Sequence, residues 1–377
     1  EVDHWITPVI GIYDDPQNQI QKPLKVNIGN DGHVIIFGAP GTGKTTLLQT
    51  MVYSLVNFYS PEILNLYFLD FGGRTMGYYN ELPHTGGVVF SDDSDKLDKL
   101  LKMLVKELEA RKRRFSEYGV GNLQSYLEIS NSKEPAIVVI IDNYSAFYEL
   151  YPDHESIIMT LTREGGNYGI FLIITATNTN DIKYKIQQNI KLLYALQLND
   201  KFEYQTVVGN TNGLEPENVK GRGLAKIGTA LEFQTALAGS KLNEADRIAE
   251  LRQLFRQMKE KWTGEKAKPI PFVPEELTLD LLLSVDEAQE MMKRELIPIG
   301  YNMEDAQIIS IDVGKALTYT ILGFDQAGKT NLLKVMIRVI KEKFNWKVYV
   351  VDNERSELKK YSTQFGVDGY INNTEDF

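Results

Sequence analysis

The chain has 377 residues, 43% of them hydrophobic and 24% charged, the proportions of an ordinary globular protein with room for two domains. It holds no cysteine, which excludes disulfides and cysteine-ligated metal, and no apolar run near the roughly 18 residues of a membrane span. A net charge of −10 argues against the basic face that non-specific nucleic-acid binding favours.

The start, Glu1-Val2-Asp3-His4-Trp5, has neither an initiator Met nor a signal-peptide pattern, and is read as the beginning of a soluble piece of a longer polypeptide. Residues 1–30 predict a strand over 7–12 and a hairpin-like segment. An apolar strand over 34–37 then leads into Gly38-Ala39-Pro40-Gly41-Thr42-Gly43-Lys44-Thr45, and Leu47, Leu48, Met51, Val52 and Leu55 continue it as a helix. A β-type run over 64–69 ends at Asp70. A long amphipathic helix is expected over about 93–117, with Leu97, Leu100, Leu101, Leu104, Val105 and Leu108 on one face. Residues 136–141 and 170–174 are apolar throughout, as strands buried on both faces are. A further helix is expected over 243–262, with Asn243 as its cap. Alternating strands and helices imply an α/β fold with a doubly wound, mainly parallel sheet.

A proline-rich stretch, Lys268-Pro269-Ile270-Pro271-Phe272-Val273-Pro274, then marks a linker, and beyond it the pattern restarts. Ile299-Gly300 echoes Ile10-Gly11. Gly323-Phe324-Asp325-Gln326-Ala327-Gly328-Lys329-Thr330 follows an apolar run over 319–322 and repeats the first loop 285 residues on, 38 against 323. A strand over 347–351 ending at Asp352 echoes the one ending at Asp70. The expected organisation is a module over 1–265, a linker region over 266–296, and an incomplete second module over 297–377.

Gly-x-x-x-x-Gly-Lys-Thr between a strand and a helix is the context of a phosphate-binding loop. Glycines let successive amide N–H groups and the helix N-terminus face a polyphosphate. The candidate nucleotide-binding residues are therefore Gly38, Pro40, Gly41, Thr42, Gly43, Lys44, Thr45 and Thr46, with Gly323, Gly328, Lys329 and Thr330 in the second loop. ATP with Mg²⁺ is the expected ligand: the lysine reaches the outer phosphates and the threonine hydroxyl holds the metal. Asp142, closing the 136–141 run, is the candidate second Mg²⁺ residue. Many proteins with such loops place another acid next, to activate the attacking water; here it is Asn143, an amide that can position water but cannot accept its proton. Slow hydrolysis follows, unless another acid such as Glu164 substitutes. Asp325 and Gln326 inside the second loop predict weaker or altered binding there, since an acid near phosphates repels them. The basic run Arg111-Lys112-Arg113-Arg114, on a helix that also carries Glu107 and Glu109, reads first as a solvated face and second as a contact surface for a partner or polyanion. His84 reads as a packing residue, and four scattered histidines give no metal-ligand spacing. Arg74 could meet phosphate or a partner.

The first loop, Glu81-Leu82-Pro83-His84, the helix ending in Glu107-Leu108-Glu109-Ala110-Arg111-Lys112-Arg113-Arg114-Phe115, Asp142, and Arg163-Glu164-Gly165-Gly166-Asn167-Tyr168-Gly169-Ile170 stand in the order found in FtsK/SpoIIIE-type motor ATPases. The chain resembles that family over about 8–235 and again, truncated, from about 297. Tandem modules, the Asp142-Asn143 ending and Gly221-Arg222-Gly223-Leu224 most resemble the membrane ATPases of Firmicute type VII secretion. The resemblance implies a RecA-like core, ring or hexamer assembly with other copies, neighbouring ATPase modules in the same polypeptide, and small helical secreted proteins as partners. It also implies a place at the cytoplasmic face of the membrane, anchored through parts absent from this chain. By position, Asn178 falls where relatives carry the glutamine that senses the γ-phosphate. Tyr204-Gln205 stands where DNA translocases carry Ser-Arg, so a trans-acting arginine is not expected there; Arg163 and Arg222 are alternatives, with surface or packing roles weighing against them. A nucleic-acid partner is not expected. The competing functions are a DNA translocase and a structural relic that binds no nucleotide.

Overall fold

The computed structural model describes residues 5–274, 276–303, 305–316, 318–344 and 346–372, so the opening residues 1–4 and the last five lie outside it. It divides into two compact units, Glu1–Ile270 and Pro271–Phe377.

Unit 1 is built on a ten-stranded sheet. In chain order the strands are β1 (Val9–Asp15), β2 (Ile20–Lys25), β3 (Val34–Phe37), β4 (Leu64–Asp70), β5 (Thr85–Phe90), β6 (Ala136–Asp142), β7 (Ile170–Ala176), β8 (Leu192–Ala195), β9 (Arg222–Ile227) and β10 (Thr229–Thr235). In space they run β2-β1-β10-β9-β8-β3-β7-β6-β4-β5. The six from β8 to β5 are parallel. The apolar runs explain this: β3, β4, β6 and β7 are buried along their whole length, which requires cover on both faces. Alternate residues feed opposite cores. Val34, Ile36, Leu66, Phe68, Val138 and Ile140 pack with helix Lys44–Phe58 on one face. Ile35, Phe37, Tyr67, Leu69, Val139 and Ile141 pack with Leu97, Leu100, Leu101, Leu104 and Leu108 of helix Ser94–Glu117 on the other.

The expected mainly parallel sheet is thus its central part. Strands β9, β10, β1 and β2 extend it as an antiparallel wing, making the whole sheet mixed. The hairpin-like segment near the start is β1 with β2; the β9–β10 hairpin, turning at Gly228, carries no apolar run that would announce it. Asn243 caps helix Glu244–Lys261 as expected, accepting from Ala245 N (2.9 Å) and Asp246 N (3.2 Å).

The stretch expected as a linker, 266–296, is structured at both ends. Ala267 N donates to Pro83 O (3.1 Å), Ile270 N to Gly86 O (3.0 Å), and the Tyr67 hydroxyl to Lys268 O (2.6 Å). Those bonds lay 267–270 along β5, the edge strand, and satisfy backbone groups an open edge would expose. In unit 2, Leu279–Ser284 and Asp286–Lys293 are helices, because Leu282, Leu283 and Ala288 bury against β11 (Ile297–Tyr301) and β12 (Ile308–Ile311).

Unit 2 continues with helix Lys329–Lys343, β13 (Tyr349–Val351), helix Lys359–Phe365 and β14 (Gly369–Ile371), the last strand parallel to β13. The Ile10-Gly11 and Ile299-Gly300 echo has a physical basis, since β1 and β11 both shift register at that glycine. The strand expected over 319–322 does not form. In unit 1 the equivalent β3 is held between β7 and β8, and residues 319–322 have no such neighbours among the described residues.

Two histidines are buried inside unit 1. His33 accepts from Leu172 N (2.9 Å) and His84 bonds the Tyr59 carbonyl (2.7 Å), so His84 packs rather than titrates at neutral pH. Burial lowers each pKa from 6.5 to about 4. A histidine neutral in the fold but protonated in the unfolded chain below 6.5 destabilises the fold as pH falls from 6.5 towards 4. Acidification from pH 7 to 5 is expected to cost about 2 kcal/mol per histidine, at about 1.4 kcal/mol per unit. Urea denaturation at the two pH values reads this, and His33→Gln should flatten the dependence.

Candidate functional site

The first loop leaves the C-terminal end of β3, between β7 and β8, and enters helix Lys44–Phe58 at the C-terminal ends of the parallel strands, where α/β sheets place ligands. Its stem is pinned on both sides: Gly38 N donates to Ala176 O at the end of β7 (3.0 Å), and Ala39 N to Gln197 O beyond β8 (2.8 Å). Gly41 and Gly43 have φ of +80° and +110°, open to glycine and strained for other residues. Gly43 also has no space for a side chain, since a β-carbon there would lie 2.9 Å from Gly221 N. Gly221 N in turn donates to Thr42 O (2.8 Å), so the Gly221-Arg222-Gly223 segment buttresses the loop from outside. Pro40 lies exposed at the tip, Thr42 is buried with its hydroxyl on Ala39 O (2.8 Å), Thr45 is exposed in the first helical turn, and Thr46 is buried behind it. Lys44 Nζ bonds the Gly38 and Ala39 carbonyls inside the loop. Burial lowers its pKa, against the attraction of Asp142 and Asp181.

The order β3-β7-β6 places one strand between the loop and Asp142. Asp142 is buried at the end of β6, in register with Asp70 at the end of β4. Its Oδ1 accepts from the Thr175 hydroxyl (2.6 Å). Burial raises its pKa, Asp70 adds to the rise, and Thr175 and Lys44 oppose it. Asp70 is committed elsewhere: its carboxylate accepts from Gly72, Arg74 and Met76 N and folds the 71–76 loop.

Asn143 sits at φ +65°, a conformation asparagine tolerates better than most residues. Its side chain is engaged, with Oδ1 accepting from Ala146 N (3.4 Å) as the cap of helix Tyr144–Leu150 and Nδ2 donating to Phe71 O (3.3 Å). Asn178 pairs with Asp181 in a capping box beyond β7, where Asp181 Oδ2 accepts from Thr177 N (2.9 Å) and Asn178 N (3.0 Å). Lys44, Asp142, Asn143 and the 177–181 segment therefore gather at one end of the sheet.

Other residues singled out in the sequence have their side chains committed to other partners. Glu164 ends helix Glu155–Glu164 before β7 begins, at the N-terminal end of the parallel strands, where Lys112 and Arg163 pair with it; it does not substitute for a water-activating acid. Arg222 bonds Gln234 Oε1 (2.9 Å) between Glu217 and Glu232. Arg74 lies 4.4 Å over the Phe90 ring and pairs with Asp92. The basic run at 111–114 is mostly neutralised internally: Arg111 is buried, Lys112 pairs with Glu109 and Glu164, and Arg114 with Glu107 and Glu134. Two residues of the site went unremarked in the sequence, Thr175 and Asp181. The signal for Thr175 was available, a polar residue near the end of an otherwise apolar buried strand.

The second loop takes the same form. Gly328 has φ +93°, and Lys329 Nζ bonds Gly323 O and Phe324 O, each at 2.8 Å. Gln326, with φ +63°, stands where the first loop has Gly41, a strain of about 1 kcal/mol. Asp325 is exposed, and the Thr330 hydroxyl donates to Glu357 Oε2 (3.1 Å), a carboxylate beside the loop threonine. No counterpart of Asp142 occurs among the described residues of unit 2.

A glycine-built loop between a central parallel strand and its helix, with a buried aspartate two strands away, defines a RecA-like P-loop nucleotide-binding fold. The FtsK/SpoIIIE family profile matches residues 9–211, and the chain belongs to that family. It is 30% identical to the ESX secretion system protein EccC of Geobacillus thermodenitrificans over 87% of this chain and 22% of that relative. It therefore spans about a fifth of that relative's length. In structure it is similar to EssC (ATPases 2 and 3) from the same organism, with TM-score 0.84 and 28% identity over 97% of this chain and 70% of that one. A second likeness is to Thermomonospora curvata EccC (ATPases 2 and 3) in complex with a signal sequence peptide, with TM-score 0.70 and 25% identity over 100% of this chain and 68% of that one.

Proposed function

We propose that the chain is an ATP-binding module of a type VII protein secretion ATPase, in which nucleotide binding governs ring assembly and engagement of exported proteins more than rapid turnover. The observation that carries this is Asn143. At the position after the buried aspartate the chain has an amide, and both ends of that amide are used in capping and loop bonds. It offers no base for a water proton.

The residues present fit Mg²⁺-ATP. The amides of 41–45 at the helix N-terminus receive phosphate oxygens, and Lys44 exchanges its loop carbonyls for the outer phosphates. The exposed Thr45 hydroxyl and Asp142 hold the metal, which neutralises phosphate charge when bound. Asn178, on the segment that follows β7, reports the state of the γ-phosphate. The second loop, strained at Gln326 and with Glu357 on Thr330, is the weaker site. Partners on this reading are other copies of the chain, adjoining ATPase modules and small helical secreted proteins, for which the peptide complex of the T. curvata relative is the support. The location is the cytoplasmic face of the membrane, with attachment through other parts of the polypeptide; no described helix is long and apolar enough to cross it.

Binding of a fluorescent ATP analogue and phosphate release, measured side by side on the full chain, test this. Binding is expected with turnover at least a hundredfold below the roughly 10 per second typical of enzymes. Turnover of several per second stimulated by duplex DNA would replace it with the DNA-translocase function. No binding at all would leave a structural relic.

A further inference from the structure

We propose that Thr175 is the positioning residue for the Mg²⁺ carboxylate of unit 1, so that what Mg²⁺ adds to nucleotide affinity depends on one hydroxyl of the strand between loop and acid. This rests on the ATP-site reading above and names a residue that the chemistry of P-loops does not by itself require.

Thr175 is fully buried in β7, a strand otherwise apolar from Ile170 to Ile174. A buried hydroxyl is costly unless it is bonded, and valine would fill the same space. The hydroxyl is used twice. It donates to Asp142 Oδ1 at 2.6 Å, a short charge-assisted bond, and accepts from Asn143 N at 2.8 Å. One oxygen thus fixes both the carboxylate and the turn that follows it. On the opposite side Gly72 closes over the same carboxylate, where a β-carbon would stand 2.3 Å from Asp142 Oδ2. The aspartate is held between a hydroxyl and a glycine and has little freedom to swing.

β7 is also the strand that leads to the sensing segment. Thr175 pairs in register with Ile36, just before the loop, and the chain reaches Asn178 three residues later. The hydroxyl therefore joins the metal acid to the strand that carries the γ-phosphate sensor. Groups that orient a metal-binding carboxylate typically contribute 10–100-fold in metal affinity.

The test is the affinity of the full chain for a fluorescent ATP analogue, measured with Mg²⁺ and with EDTA. Thr175→Val is expected to remove roughly tenfold or more of the gain due to Mg²⁺ while leaving the EDTA affinity within about twofold of the parent. Thr175→Ser, which keeps the hydroxyl, should restore most of the gain. In Asp142→Asn the valine change should cost nothing further, because the hydroxyl acts through that carboxylate. Thr175→Ala serves as a second replacement if valine disturbs folding, checked by thermal melting. Equal losses with and without Mg²⁺ would mark a packing role and overturn the inference, as would a full Mg²⁺ gain in the valine variant. A parent chain that binds no nucleotide would overturn the ATP-site reading, and this inference with it.

Discussion

Lys44→Ala is expected to weaken binding of a fluorescent ATP analogue to unit 1 by at least a hundredfold while leaving the melting temperature nearly unchanged. Lys44 Nζ bonds two carbonyls of its own loop, and burial already penalises its charge. Removing it costs the fold little, because the half-buried charge that leaves with it is one that burial penalises. Binding is affected differently. Charge-assisted bonds contribute about 1.5–3 kcal/mol each, and two to phosphate oxygens sum to roughly 3 kcal/mol or more, which is two decades in affinity. The attraction of Asp142 and Asp181 for Lys44 also acts in reverse. Without the lysine, both acids face a polyphosphate uncompensated. Lys329→Ala should change total binding less, since the second loop is strained at Gln326 and carries Glu357 beside Thr330. Isothermal titration of the two variants checks the ranking; an affinity for Lys44→Ala within fivefold of the parent would refute it.

Arg111→Ala should destabilise unit 1 by about 3–5 kcal/mol, the cost of breaking a buried ionic network from one side. Its guanidinium is 1% exposed and donates to Glu107 (2.8 Å), Tyr168 O (2.8 Å) and Pro135 O (2.8 Å), with Glu134 at 3.3 Å. Burial raises the pKa of Glu134, while at Glu107 Arg111 and Arg114 outweigh burial and lower it. Truncation strands two carbonyls and leaves Glu107 and Glu134 with Arg114 alone, at the N-terminal ends of β6 and β7. Arg111→Lys should recover less than half of the loss, since an ammonium cannot present the same planar set of donors. Arg113, exposed on the same helix, is the control, and its alanine variant should stay within about 0.5 kcal/mol of the parent by urea denaturation. Similar losses for Arg111 and Arg113 would mean that the network contributes nothing particular to the fold.

The parallel core was legible because it is written in local patterns. Runs such as Val138 to Ile141, buried on both faces, and leucines at helical spacing from Leu97 to Leu108 each specify an element within a dozen residues. The phosphate loops were legible for a similar reason, their glycines and lysines standing at fixed offsets that the loop geometry demands. The antiparallel wing was less so. β10 alternates buried and half-buried residues, β9 is short and mixed with no clear period, and their pairing with β8 and β1 joins residues far apart in the chain. The strand expected over 319–322 shows the converse, an apolar run that forms no strand where no partner strand is present among the described residues.

By itself the sequence determined that unit 1 carries a glycine loop, a lysine and an aspartate suited to a polyphosphate with its metal, and that an amide follows the aspartate, because these are properties of residue type and spacing. Only the tertiary structure decided which groups surround them. It turned the basic run at 111–114 largely into an internal network, placed Glu164 at the opposite end of the strands from the loop, committed the Asn143 amide to a helix cap, and brought Gly221 against Gly43 and Thr175 against Asp142. Gly43 and Gly221 are 178 positions apart (221 − 43), and Asp142 and Thr175 are 33 apart, so no local pattern links either pair. Strand order brings them together, and strand order follows from burying both faces of the sheet at once.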